Sequence, residues 1–193
     1  MKFIYPEGAT PYNQDDAAAL IPRHITTQKQ LNEWEQDNIL SAERWLFTSK
    51  QKSLLTIAFI KKLHKKMFDK TWKWAGEYRT HNTNIGINYP LIQESLKNLC
   101  DDVVYWIENK VFPIDEIAAR FHFKLVFIHA FPNGNGRHSR LMTDALLRQL
   151  GAPRFTWGSG GLCEQSNVRS KYIESLKEAD KENIRPLLDF VRS

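Results

Sequence analysis

The chain has 193 residues, 42% of them hydrophobic and 25% charged, with 27 basic against 22 acidic side chains and a formal net charge of +5. That composition excludes an intrinsically disordered chain, and the length suits one globular core with an appendage. The positive balance points to an anionic partner without separating nucleic acid from nucleotide or phosphate. Cys100 and Cys163 stand alone and outside any CxxC spacing, which argues against a disulfide framework and a zinc site. The opening residues hold no long apolar run and no window has the length of a membrane span, so a cytoplasmic protein without membrane attachment is expected.

Residues 1–25 are rich in Pro, Gly, Asn and Asp and read as an irregular arm, with a short helix at "DDAAALI". From Thr27, an N-cap candidate, Leu31, Trp34, Ile39, Leu40, Trp45 and Leu46 recur at helical spacing. A second helix follows through Leu54, Leu55, Ile57, Phe59, Ile60, Leu63 and Met67, and its Lys61, Lys62, Lys65 and Lys66 read as a solvated basic face. The stretch "TWKWAGEYRTHNTNIGINYP" breaks the rhythm with Gly76, Gly86, Pro90 and a run of Asn and Thr, so an extended or hairpin segment is expected there. Helices resume over "LIQESLKNLCDDVVYWIEN" and, after Pro113, over "IDEIAARFHFKLVFIHAF". Another, "RHSRLMTDALLRQLG", ends at Gly151, a plausible glycine just past a helix end. "FTWGSGGL" is a loop, and one or two helices close the chain. The pattern is mostly α with one short β excursion.

The segment "IHAFPNGNGRHSR", residues 128–140, interrupts two helices with Gly, Asn and Pro. Glycine and asparagine tolerate left-handed backbone and let main-chain N–H groups face a ligand. The helix start that follows carries free amides and a positive dipole end, and Arg137 and Arg140, three residues apart, share one side of it. Two guanidiniums with a nest of amides suit two or more phosphates. His129, with an ordinary pKa near 6.5, can accept a proton from a hydroxyl. Asn133 offers a neutral oxygen to a Mg²⁺ ion on the phosphates.

"HAFPNGNGRHSR" resembles the signature HxFx(D/E)GNGRxxR of the Fic family, matched at His129, Phe131, Gly134, Asn135, Gly136, Arg137 and Arg140. "LHKKMF" with "WKWAGEYRTHNTNIG" resembles the helix and β-hairpin flap of Fic proteins, and "RSKYIESLKEADKENIRPLL" their closing helices. The N-terminal stretch is similar to a bacterial Fic subgroup associated with mobile elements. The resemblance implies a Fic-fold helical bundle with a short β-hairpin flap, divided into an arm and helix over 1–53 and a Fic core over 54–193. It implies transfer of AMP from ATP, with Mg²⁺ or Mn²⁺, to a Ser, Thr or Tyr hydroxyl of a target protein. His129 would be the base and Phe131 the loop's anchor, while Gly134, Asn135 and Gly136 would cradle the α- and β-phosphates. Arg137 would neutralise the leaving pyrophosphate and Arg140 hold the γ-phosphate. Thr83, Asn84, Ile85 and Gly86 of the flap would pair with the target segment and wall the nucleotide. Tyr172 and Asp180 fall where family members contact adenosine.

Two departures stand out. Asn133 replaces the family's acidic metal ligand, which lowers the expected metal affinity, and Ala130 replaces a proline. The inhibitory motif [S/T]xxxE[G/N] has no strict match; Glu7, in "FIYPEGATP", is the nearest candidate, with Phe3 in place of Ser or Thr and Pro6 opposing helix at Tyr5. Two other readings stay open: a Fic-fold transferase of another phosphate-containing group, and a catalytically weak module binding nucleic acid or a partner chain. Nucleic acid is disfavoured because the lysines at 61–66 are not interleaved with stacking aromatics and no helix-turn-helix pattern is present. A homodimer and a separate antitoxin both remain open on sequence.

Overall fold

The computed structural model describes residues 11, 13–49, 51, 53–159 and 167–193. Eight α-helices run through the described residues: α1 Gln14–Ala18, α2 Gln28–Thr48, α3 Ile57–Phe68, α4 Ile92–Glu108, α5 Ile114–Ile128, α6 Asn135–Gln149, α7 Asn167–Asp180 and α8 Arg185–Val191. Local chemistry sets many of their ends. Thr27 and Gln30 form a reciprocal capping box at the start of α2, and the Thr56 hydroxyl accepts from the Phe59 amide at the start of α3. At the far end of α6, Gly151 takes φ +74°, its amide donates to the Arg148 carbonyl and the Ala152 amide donates to that of Leu147. That is the Schellman closure expected of a glycine past a helix end.

Two apolar clusters fill the interior, and α5 contributes to both. The larger collects Leu31 and Leu46 of α2, Leu63 and Met67 of α3, Leu96 and Val103 of α4, Phe121 and Leu125 of α5, and Met142 of α6. The smaller joins Ala118 and Ala119 of α5 and Leu147 of α6 to Tyr172 and Ala179 of α7 and Leu187 and Val191 of α8. Each fully buried Leu, Phe or Met contributes about 1.5–3 kcal/mol of transfer free energy. Helix α2 packs into the larger cluster and so shares one core with α3–α6.

On α2 the buried face differs from the apolar list read from sequence. Leu31, Glu35, Asn38, Ala42 and Leu46 are buried, whereas Trp34 and Leu40 are exposed. Asn38 fastens α2 to the end of α3, donating to the Lys66 carbonyl at 3.1 Å and accepting from the Lys70 amide at 3.0 Å.

The mostly helical expectation holds, but the flap is not a β-hairpin. Among the described residues β-pairing is limited to one antiparallel bridge, Leu20 with Trp72, and residues 77–88 are irregular backbone with bends, followed by a 3-10 turn at Tyr89–Leu91. Backbone carbonyls that a hairpin would use in a ladder, those of His81 and Ile87, are taken by the side chain of Arg79.

Candidate active site

Helix α5 ends at His129, which adopts φ +53° and ψ +57°. A left-handed conformation is uncommon for a residue with a Cβ and marks a position held by its surroundings. What holds it is Arg79. Only 2% exposed, Arg79 donates from Nε to the His129 carbonyl at 2.6 Å and from Nη2 to the Ile128 carbonyl at 3.4 Å. It also donates to the His81 carbonyl at 2.8 Å and to that of Ile87, while its own amide donates to Ala130 at 3.0 Å. One guanidinium therefore joins the flap to the last carbonyls of α5, where a cation also meets the negative end of the helix dipole. Gly86 completes the contact: with φ +102°, a Cβ there would fall 2.6 Å from the His129 Cβ, so the flap backbone lies directly on the histidine.

From Phe131 to Gly134 the chain turns tightly into α6. Asn135 clamps this turn, accepting from the Phe131 amide at 2.9 Å and donating to the Phe131 carbonyl at 2.7 Å. Phe131 is 1% exposed and stacks on His64, centroids 3.7 Å apart. His64 accepts from the Gly76 amide on Nδ1 at 3.0 Å, so its Nε2–H donates to the Asn133 carbonyl at 3.0 Å. Gly134, the N-cap of α6, has φ +78°, and a Cβ on it would meet the Phe68 ring at 2.5 Å. Gly136 is the opposite case, since a Cβ there would meet only Arg140 Nη1, at 3.9 Å. The helix start thus has a tightly packed back at Gly134 and an open front at Gly136, and no side chain caps it.

The two arginines flank that front from different sides. Arg137 lies over the Phe68 ring and pairs with Glu35 of α2 at 2.7 Å. Arg140 turns towards α7, over Tyr172, whose hydroxyl in turn meets His122 Nε2 at 2.8 Å. Tyr172 is buried against Arg140, whereas Asp180 is exposed at the end of α7, about 12 Å along the helix from Tyr172. Thr83, its hydroxyl on the Ile85 carbonyl at 2.6 Å, Asn84, Ile85 and Gly86 line the flap, of which Gly86 touches His129. Glu7 lies outside the described residues.

Burial, reinforced by the Arg79 guanidinium, lowers the His129 pKa to about 4, so the imidazole is neutral near pH 7. His122 falls to about 3, through burial and then the charge of Arg140, and His138 to about 4 through burial. His64 lies well below the ordinary histidine value, through burial and then His138. The Asn133 amide oxygen accepts from the Gly134 amide at 2.6 Å and sits 3.5 Å from Arg137 Nη2. A neutral oxygen turned into its own loop beside a cation is a poor ligand for a resident metal. Among the described residues no group of three His, Cys, Asp or Glu side chains could hold one.

Sequence reading missed Glu35, His64, Arg79 and His122. For Glu35 a signal existed, because residues 31, 35, 38, 42 and 46 form a helical stripe that includes two polar positions.

Fold and site together define a helical protein with an open, arginine-flanked helix start, a histidine beside it and a flap laid across that histidine. Residues 54–147 match the family model described as Fic/DOC family. A protein adenylyltransferase Fic of Nematostella vectensis is 34% identical over 121 residues, covering 61% of this chain and 26% of that protein. One of Drosophila mojavensis is 32% identical over 146 residues, covering 73% of this chain and 28% of that protein. The chain thus spans about a quarter of the length of the curated relatives it matches. The N-terminal Fic domain of a VirB-translocated effector from Bartonella quintana superposes with a TM-score of 0.72 at 16% identity, covering 92% of this chain and 91% of that one. The BepC protein of Bartonella tribocorum with bound AMPPNP gives 0.71 at 18%, covering 93% and 97%. These two likenesses bear on the fold. Through residues 54–147 the chain belongs to the Fic/DOC family. No helix among the described residues is long and apolar enough to cross a membrane.

Proposed function

We propose that the chain is a protein adenylyltransferase that moves AMP from ATP to a hydroxyl of a target protein. The observation that carries this is the left-handed backbone of His129, held by Arg79 on its carbonyl and by the flap at Gly86, in the short turn that leads into the open helix start at Gly136. The relatives named protein adenylyltransferase Fic support the same reaction. In it, His129 accepts the proton of a Ser, Thr or Tyr hydroxyl as its oxygen bonds to the α-phosphorus. The bond between the α-phosphorus and the bridging oxygen breaks, and pyrophosphate leaves. The amides opening α6 bind phosphate oxygens, Arg137 takes the charge of the leaving group, and Arg140 holds the γ-phosphate. A pKa near 4 makes a weak base, but the negative charge of a bound triphosphate raises it towards the operating pH.

The Mg²⁺ or Mn²⁺ that the family resemblance calls for would arrive on the ATP phosphates, since Asn133 offers it only a neutral oxygen; no step above depends on it. The flap residues 83–86, which lie against His129 at Gly86, would receive the target segment. The arm reaches the same flap, with Asp16 Oδ2 at 3.5 Å from His81 Nε2, which suits a segment that restrains the site; the proposal that Glu7 is its inhibitory residue rests on the sequence motif alone. Intact-protein mass spectrometry after incubation with each of several nucleotide donors tests the reading. An AMP adduct from ATP, increased in Glu7→Gly, is expected. An adduct of another mass would make the chain a transferase of a different phosphate-containing group, and none from any donor would leave the binding-module reading.

A further inference from the structure

Glu35 reaches the α5–α6 loop from α2, 102 residues upstream of the arginine it meets. Its side chain is 5% exposed, and a carboxylate is retained at that depth only where partners compensate its lost hydration. Both oxygens have partners. Oε2 accepts from Arg137 Nη1 at 2.7 Å and Oε1 from the Trp72 indole at 2.6 Å. Trp72 is itself 1% exposed, stacked on Trp74 and bridged to Leu20. One turn further along α2, Asn38 ties the helix to the end of α3. The carboxylate is therefore mounted on a part of the fold with little freedom to swing. Arg137, by contrast, is a long side chain one-third exposed, with its guanidinium over the same Phe68 ring on which Gly134 rests. Ordering such a side chain at the moment of binding costs up to about 2 kcal/mol of rotamer entropy.

We infer that Glu35 is a positioning residue: with Phe68 it holds the Arg137 guanidinium in place at the mouth of the α6 helix start before an anion arrives, so that a bound polyphosphate meets an oriented fork. This rests on reading that helix start as the phosphate site. A fixed carboxylate that keeps a cation aimed, without touching substrate, acts on how well the cation grips phosphate.

Glu35→Gln keeps the shape and an acceptor for Trp72 while removing the charge. It is to be compared with wild type, Arg137→Ala and the double variant in two assays: calorimetric titration with inorganic tripolyphosphate, and AMP transfer from ATP. Expected are a loss of about tenfold in tripolyphosphate affinity and of about 10- to 100-fold in kcat/KM, with the protein still folded and its melting temperature lowered by only about a few degrees. In the Arg137→Ala background Glu35→Gln should cost nothing further, which general damage to the fold would not reproduce. The inference is overturned if Glu35→Gln matches wild type, if it raises transfer, or if its effect persists without Arg137. Tripolyphosphate binding that depends on Glu35, with no AMP transfer by wild type, would uphold the inference and remove the adenylyltransferase reading. Transfer that is indifferent to Glu35 would do the reverse, and wild type that neither binds nor transfers would remove both.

Discussion

Four histidines, His64 of α3, His122 of α5, His129 just past its end and His138 of α6, are buried, and burial depresses the pKa of each. In the unfolded chain a histidine binds its proton near pH 6.5. In the folded chain His122 does so only at about 3, and His129 and His138 at about 4. Between those limits the unfolded state carries more protons, so acid favours it: the stability is complete above about pH 6.5 and is lost as pH falls towards 4. At one proton and 1.36 kcal/mol per pH unit, going from about pH 7.5 to about pH 5 removes about 2 kcal/mol for each of these three, or about 6 kcal/mol together. His64 adds to the loss with the same sign. Against a typical total of 5–15 kcal/mol, that is enough to bring the chain close to unfolding under mild acid. Urea denaturation followed by tryptophan fluorescence at the two pH values reads it directly. The midpoint should fall by about 2–3 M, and His138→Gln should make the dependence shallower by about one proton. A midpoint shift below about 0.5 M would refute the argument, because it would mean that these imidazoles can be protonated in place.

Gly136→Ala should leave stability unchanged or slightly raised, since the added methyl meets only Arg140 Nη1 at 3.9 Å, yet weaken ATP binding by filling the open front of the helix start. Gly134→Ala should instead cost about 3 kcal/mol in a denaturation series, from φ +78° together with a methyl forced into the Phe68 ring. Arg79→Lys keeps the charge but cannot serve four carbonyls on two segments; a loss of about 2 kcal/mol or more is expected by denaturation, with transfer activity falling further than the melting temperature alone would explain.

Much of the fold could be read from local pattern. Thr27 capped α2 through Gln30, Gly151 closed α6, and "IHAFPNGNGRHSR" held both the left-handed turn and the helix start. The groups that steady that segment could not be read in the same way. Arg79 lies 50 residues from His129, His64 lies 69 from Asn133, and Glu35 lies 102 from Arg137. No periodicity links positions that meet only when helices pack. The hairpin expectation failed for a related reason. Gly, Asn and Thr between 76 and 90 do mark a break from helix, but whether their carbonyls pair with another strand or with a side chain depends on where Arg79 is buried. Trp34 and Leu40 belong to the apolar spacing that marks α2 as a helix, yet both are exposed, and the face α2 buries runs through Glu35 and Asn38.

The most direct test of AMP transfer uses two labels and one variant. Wild type and His129→Ala are each incubated with ATP labelled at the α-phosphate and, separately, at the γ-phosphate, with and without Mg²⁺, and protein-bound label is counted. Label from the α-position, none from the γ-position, and none in His129→Ala while that variant still binds ATP is the expected result. Equal α-label in His129→Ala, or γ-label in wild type, would contradict a nucleotidyl transfer initiated by His129.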